Sequence, residues 1–150
     1  MKTLIIYSSL HHGNTEKIGR TIAEALNADI VKFNEVNIHT LQDYDLIGFG
    51  SGIFYGKFHK SIIEFIENIP ALPDKKAFIF STSGQGKEEY NNFIKDKLKE
   101  KGFKVLGSFA CKGFDTFGPF KLIGGIAKGR PNEDDFLKAK AFAREIIVVC

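Results

Sequence analysis

Ser8, Ser9, Gly13 and Thr15 lie close together in the run Tyr7-Ser8-Ser9-Leu10-His11-His12-Gly13-Asn14-Thr15 near the amino end of the chain. Hydroxyl donors at this density suit a small anion, and a glycine among them lets the backbone fold in around it. Thr3-Leu4-Ile5-Ile6-Tyr7 before the run reads as a buried strand, and Ile18, Ile22 and Leu26 after it recur at helical spacing. The run therefore joins a strand to a helix start, where the leading amides have no intrahelical partner and carry the positive end of the dipole. Ser9 to Thr15 thus read as a phosphate cradle. A narrower reading, in which Asn14 or Thr15 merely caps the helix, accounts for one polar residue and leaves the others without a role. Two other phosphate motifs are ruled out: Gly86-Lys87 is followed by Glu88 rather than Ser or Thr, and no G-x-G-x-x-G follows the first strand.

Two further loops carry suitable chemistry. Ser51-Gly52-Ile53-Phe54-Tyr55-Gly56-Lys57-Phe58 combines glycines, which bring backbone close to a ligand, with aromatics that can stack on a flat ring. Phe54 and Tyr55 are the stacking candidates, with Tyr55 favoured because its hydroxyl can stay wet. The competing reading places at least one of Phe54 and Phe58 in the core of a chain with 15 Phe. Ser81 to Gly86 is the third loop.

The elements that must position these loops are short. After the first helix, Asp29 to Phe33 alternates as a half-exposed edge strand does, and residues 34 to 43 are polar and weakly patterned. Asp45 to Gly50 is apolar without alternation, which indicates a strand covered on both faces. Ile62, Ile63, Ile66 and Ile69 mark a helix ended by Pro70, and Ala77 to Phe80 is another buried strand. Tyr90, Phe93, Ile94 and Leu98 form a further helical stripe, with Gly102 as its stop before a strand over Phe103 to Phe109. Seven Gly and Pro residues between 111 and 131 predict a long loop with at most one turn of helix. Asn132 or Asp134 then caps a last helix, with Phe136, Phe142, Ala143, Ile146 and Ile147 as its stripe. Five strands alternating with helices imply an α/β, three-layer, doubly wound parallel sheet, with ligands beyond the carboxyl ends of its strands.

A length of 150 residues suits a single domain spanning 1–150. No apolar run approaches the roughly 20 residues of a membrane span, and Met1-Lys2 leads straight into a strand rather than a secretory leader. Cys111 and Cys150 have no metal or redox spacing, so a cytoplasmic setting is expected, with a structural role for Cys111. The net charge is +3, and residues 111 to 130 hold Lys112, Lys121, Lys128 and Arg130 against Asp115 alone. This local surplus is either a solvated loop or a docking surface for an acidic partner or a phosphate-bearing ligand. His11-His12 can be read as a metal pair, but no carboxylate or cysteine cluster accompanies it. Phosphate contact is the stronger reading, and protonation of either ring would make it pH-dependent.

Gly13-Asn14-Thr15 after Ser8-Ser9, the segment Asp43-Tyr44-Asp45-Leu46-Ile47-Gly48-Phe49-Gly50-Ser51, and Ser81-Thr82-Ser83-Gly84 together resemble the three FMN loops of the flavodoxins. The resemblance covers nearly the whole chain and is to the short-chain kind, because no long insertion interrupts the last strand. It implies the strand order 2-1-3-4-5 and a non-covalent FMN. Carried over by position, Ser9, Leu10, His11, His12, Gly13, Asn14 and Thr15 hold the phosphate. Gly52, Ile53, Phe54, Tyr55, Gly56 and Lys57, with Thr82, Ser83, Gly84 and Gln85, frame the isoalloxazine. The Gly56-Lys57 peptide is the one expected to turn toward the ring. The implied function is electron transfer between redox proteins, with no catalytic side chain and no metal.

The chain also departs from that family. The first loop is one residue longer than usual, there is no Trp, and Lys57, His59, Lys60 and Lys87 put positive charge near loops that are usually acidic. Redox partners acidic at the docking face are therefore expected, without nucleic acid or membrane, for a monomer or weak dimer. The alternative is an NAD(P)H-dependent FMN or quinone reductase of the same fold, with the basic 111 to 130 segment receiving nucleotide phosphates. A receiver-like regulator is disfavoured, since the acidic residues it needs after the first and third strands are missing.

Overall fold

The computed structural model describes residues 1–10, 12–116 and 118–150, with the backbone alone at Gly118 and Pro119. Its strands are β1 (Thr3–Ser8), β2 (Asp29–Lys32), β3 (Leu46–Phe54), β4 (Lys57–Phe58), β5 (Lys76–Ser83) and β6 (Lys104–Lys112). Its helices are α1 (Asn14–Leu26), α2 (Lys60–Asn68), α3 (Asn92–Glu100) and α4 (Glu133–Val149). Five strands form a parallel sheet in the order β2-β1-β3-β5-β6, and β4 pairs antiparallel with β3. With β4 set aside, this is the expected order 2-1-3-4-5.

Strands covered on both faces need apolar side chains on both, and the three central ones have them. Ile6, Ile47, Phe49 and Ile79 pack with Ile62 and Ile66 of α2 and Ile94 and Leu98 of α3. Ile5, Tyr7, Phe78 and Phe80 pack on the other side with Ile18 and Ile22 of α1 and Phe142, Ala143 and Ile146 of α4. Neighbouring residues thus serve opposite layers, which is why these strands read as unbroken apolar runs. β2 is the half-exposed edge, and the polar stretch after it forms two 3-10 turns, Phe33–Glu35 and Ile38–Asp43.

One close approach brings α1 down onto the sheet. Gly48 pairs in register with Phe78, and Gly50 with Phe80. A Cβ built on Gly50 would lie 2.0 Å from the Phe80 ring, and one on Gly48 2.2 Å from Phe78. Each ring lies across the bare backbone of its partner, and the Phe80 ring also meets Gly19 of α1, where a Cβ would sit 3.2 Å away. Fully buried rings have no room to retreat.

Several boundaries differ from the sequence reading. Ser51 to Phe58 is not a loop. β3 runs on to Phe54, turns at Tyr55 (φ 51°) and Gly56 (φ 78°), and returns as β4. Left-handed backbone at both central residues is what a two-residue hairpin turn demands, and a glycine supplies one of them without strain. β5 likewise continues to Ser83, and Tyr90 belongs to a 3-10 turn before α3. Phe93 is not core but lies between Lys57 and Lys97, whose ammonium groups are 5.1 and 5.4 Å from its ring centre. Residues 111 to 131 contain the end of β6, a 3-10 turn over Gly118–Ile123 and a bridge between Asp115 and Ile126. Ile147 is exposed, and Ala139 takes the buried place on α4. Cys111 is buried, and burial pushes its thiol up to about 12.

The cap of α4 is Asn132, in a reciprocal box with Asp135. Asp135 is buried and accepts two 2.6 Å hydrogen bonds from Arg130 and one from the Asn132 amide. Burial disfavours its charge, but the Arg130 and Asn132 donors outweigh burial and hold the carboxyl below its usual range. Arg130 is therefore engaged within the fold and does not belong to the docking charge of its loop.

These contacts set two expectations for stability. Gly50→Ala should lower unfolding stability by about 1–3 kcal/mol, and combining it with Phe80→Leu should recover part of the loss in urea titrations. Asp135→Asn should cost about 2 kcal/mol. Because the folded pKa is lowered, the wild-type advantage is complete above the ordinary carboxylate value and disappears as pH falls through the folded value. Urea midpoints of the two proteins should converge on acidification.

Candidate functional site

The loop after β1 delivers the chain to α1 without a side-chain cap. Gly13 is the cap residue, with left-handed backbone (φ 70°), and the first helical bond runs from the Lys17 amide to its carbonyl at 3.1 Å. The Glu16 amide donates to Ser9 Oγ at 3.3 Å. Among the described residues, the Asn14 and Thr15 amides have no such partner, so donors and the positive end of the dipole face the loop. Neither Asn14 nor Thr15 is the cap. Asn14 Nδ2 donates to the Phe114 carbonyl at 2.9 Å, and Thr15 Oγ1 is 2.9 Å from Thr82 Oγ1 in a buried contact. The two side chains thereby tie the first loop to the ends of β6 and β5.

These ties bring twelve of the predicted residues to two clefts, while Ser9, His12, Gly13 and Lys57 line neither. Leu10, Asn14, Thr15, Gly52, Ile53, Phe54, Thr82 and Ser83 line one cleft, closed on its far side by Gly113, Phe114 and Asp115. A second cleft continues from it, with Ile53, Tyr55 and Gly56 on one wall and Ser83, Gly84, Gln85 and Tyr90 on the other. Asp115 and Phe120 border it as well. Tyr90 Oη donates to Gln85 Oε1 at 2.9 Å, and Ser83 Oγ accepts from the Gly86 amide at 2.7 Å, which fixes the third loop.

Of the aromatic candidates, Phe58 is core at 2% exposure, Phe54 is half-buried with its ring 5.2 Å from that of His59, and Tyr55 stands out at 84% exposure. The Lys57 side chain is turned onto Phe93. His12 is turned to the β6–α4 segment, with Nε2 3.2 Å from Thr116 Oγ1 and its ring 4.3 Å from that of Phe114. His11 lies outside the described residues. No group of three or more His, Cys, Asp or Glu that could hold a metal occurs among the described residues.

His59 is not a source of positive charge. It caps α2, its Nδ1 accepting from the Ser61 amide at 3.1 Å, so the ring proton sits on Nε2. Burial and the neighbouring Lys60 push its pKa down, against a smaller opposing pull from Glu64. Its amide donates to Ser51 Oγ at 2.9 Å, and Ser61 Oγ, 2.7 Å from His59 Nδ1, also lies 3.2 Å from Ser8 Oγ. The carboxyl ends of β1 and β3 are thereby pinned to the start of α2.

Tyr7 and Glu16 carry no signal in the sequence that singles them out. Tyr7 Oη donates to Glu16 Oε1 at 2.5 Å, and burial together with that carboxylate pushes the phenol up to about 12. The same bond is the main cause that lowers the Glu16 pKa and keeps an acidic group ionised in the first turn of α1. Gly113 to Asp115, Tyr90 and Phe120 are further site residues that the sequence reading misses. Gly113 to Asp115 follow the end of β6, and counting every strand's carboxyl end would find them.

Known proteins share this architecture. A flavodoxin from the domain Archaea superposes with a TM-score of 0.77 at 19% identity, over 99% of this chain and 98% of that one. Oxidised flavodoxin 1 from Bacillus cereus gives 0.75 at 18% identity, over 100% and 99%. In sequence, the uncharacterized protein MJ0298 of Methanocaldococcus jannaschii is 55% identical over 149 residues, 98% of this chain and 99% of that protein. A family model described as a flavodoxin domain matches residues 4–115, from the first residues of β1 to the segment after β6 that closes the cleft. The chain belongs to the flavodoxin family.

Proposed function

We propose that this chain binds FMN non-covalently and carries electrons between redox proteins. The observation that carries the reading is the uncapped start of α1, which sets unpaired amides, Ser9 and the Thr15–Thr82 pair at the head of a cleft between the ends of β1, β3 and β5. The residues present fit FMN: the donors match a phosphate dianion, and the neighbouring cleft offers Ile53, Tyr55 and Tyr90 to a flat ring. When bound, FMN supplies the one- and two-electron chemistry.

The remaining work belongs to the chain. Ser9 and the amides of Asn14 and Thr15 would hold the phosphate, and Tyr55 would cover one side of the ring. Ser83, Gly84 and Gln85 would present backbone to its edge. The Gly56-Lys57 peptide, already at positive φ, would accept a hydrogen bond from the reduced ring. Exposed Lys57, Lys60 and Lys87 favour a negative charge nearby and so raise the potential. The reductase alternative loses one of its supports, because Arg130 is committed to Asp135 and not to a nucleotide phosphate.

Reconstitution tests this directly. FMN should bind and give yellow protein, and riboflavin should bind roughly 100-fold more weakly, since about 3 kcal/mol of charge-assisted bonding is lost with the phosphate. Protein that stays colourless in excess FMN would overturn the proposal. Steady oxidation of NADPH by the loaded protein alone would favour the reductase instead. Gly56→Ala should shift the one-electron potential of the bound cofactor by about 40 mV, the equivalent of about one net hydrogen bond. Potentiometric titration measures that shift.

A further inference from the structure

The clefts open onto a rim whose charge and apolar content are out of keeping with a surface that merely faces water. Tyr55 at the hairpin tip is 84% exposed, and Leu122 and Ile123 in the β6–α4 segment are 89% and 70% exposed. The second cleft is lined by both Tyr55 and Phe120, and Phe120 is two residues before Leu122. Lysines surround them. Lys57 and Lys60 follow the hairpin, and Lys112, Lys121 and Lys128 lie on or beside the β6–α4 segment, all five exposed. Lys87 is 3.9 Å from Glu89, and Arg130 is bound to Asp135, but none of those five lysines is in an ion pair among the described residues. The nearby acids are Glu64, one helical turn after Lys60, Glu88, which accepts from Ser108, Glu89 beside Lys87, and Asp115, which bridges to Ile126 through its backbone.

We infer that this rim docks a protein partner with a carboxylate-rich face, and that Tyr55, Leu122 and Ile123 form the apolar centre of the contact. The inference rests on the electron-carrier reading above and names the partner's chemistry. An apolar centre ringed by charge is the anatomy of a specific protein contact, and a lysine ring selects the opposite sign and speeds encounter. A second copy of this chain would bring its own lysines against these. A nucleic acid leaves Leu122 and Ile123 without use.

Amide NMR of the isotope-labelled chain, loaded with FMN, tests the surface. The probes are an acidic ferredoxin, an acidic rubredoxin, basic cytochrome c, anionic phospholipid vesicles and duplex DNA. An acidic carrier should shift Tyr55, Lys60 and residues 121 to 123, and raising salt from about 20 to about 300 mM should weaken it about tenfold or more. Lys121→Glu/Lys128→Glu should weaken it several-fold and leave FMN affinity unchanged. Stronger shifts with cytochrome c, shifts only with vesicles or DNA, or none with either acidic carrier would overturn the inference. FMN uptake is read separately by absorbance. Shifts at these residues without FMN uptake would overturn the function and leave the surface standing, and uptake without the shifts would do the reverse.

Discussion

A helix that begins without a side-chain cap leaves amide donors unsatisfied, and that deficit is tolerated only where water or an anion can reach them. Among the described residues the deficit sits at Asn14 and Thr15, whose side chains are engaged elsewhere. Asn14 reaches across to the Phe114 carbonyl, and Thr15 pairs with Thr82. The two best capping residues thus hold neighbouring loops in place, and the amides stay open to the cleft. Glu16, kept ionised by Tyr7 one turn inside, complements the dipole without covering them.

That arrangement has to be held against a rigid base, and the sheet beneath provides it. Gly48 and Gly50 let the Phe78 and Phe80 rings lie flat across β3, and Gly19 lets α1 settle onto Phe80. The same ring therefore sets the height of α1 above the sheet, and with it the place where its amino end emerges. On the opposite layer, Ser51, Ser61, His59 and Ser8 knit the ends of β1 and β3 to the start of α2. The His59 ring can accept the Ser61 amide only when Nδ1 is unprotonated, which agrees with its lowered pKa. The start of α1 thus borders the cleft, and the start of α2 holds the strand ends beside it.

Much of this is legible in the order of residues alone, and for a physical reason in each case. Leu4 to Tyr7 and Ala77 to Phe80 read as buried strands because both faces are covered, and the glycine-hydroxyl run after β1 reads as an anion site because helix starts are short of acceptors. What escapes depends on contacts distant in sequence. The hairpin at Tyr55-Gly56 reads as a loop, since its strand β4 is only Lys57–Phe58 and leaves no periodic signal. Arg130 reads as loop charge, because nothing local reveals that it is bound to Asp135 within the α4 cap. His59 reads as positive, though its burial against Phe54 and its bond to Ser61 settle the ring as neutral. Phe93 follows the helical stripe but is drawn outward between two lysines.

Removing Arg130 and His59 leaves the positive charge of the rim to lysines, whose mobile ammonium groups stay hydrated and act at a distance more than through fixed paired contacts. Such charges contribute more to encounter than to a tight final complex. The exposed apolar residues among them, Tyr55, Leu122 and Ile123, are few. A partner held by long-range attraction and a small apolar contact arrives quickly and leaves quickly. For an electron carrier of the kind proposed above, which would meet one partner to gain an electron and another to lose it, rapid departure is as necessary as attraction, and a lysine rim around a small apolar contact provides both.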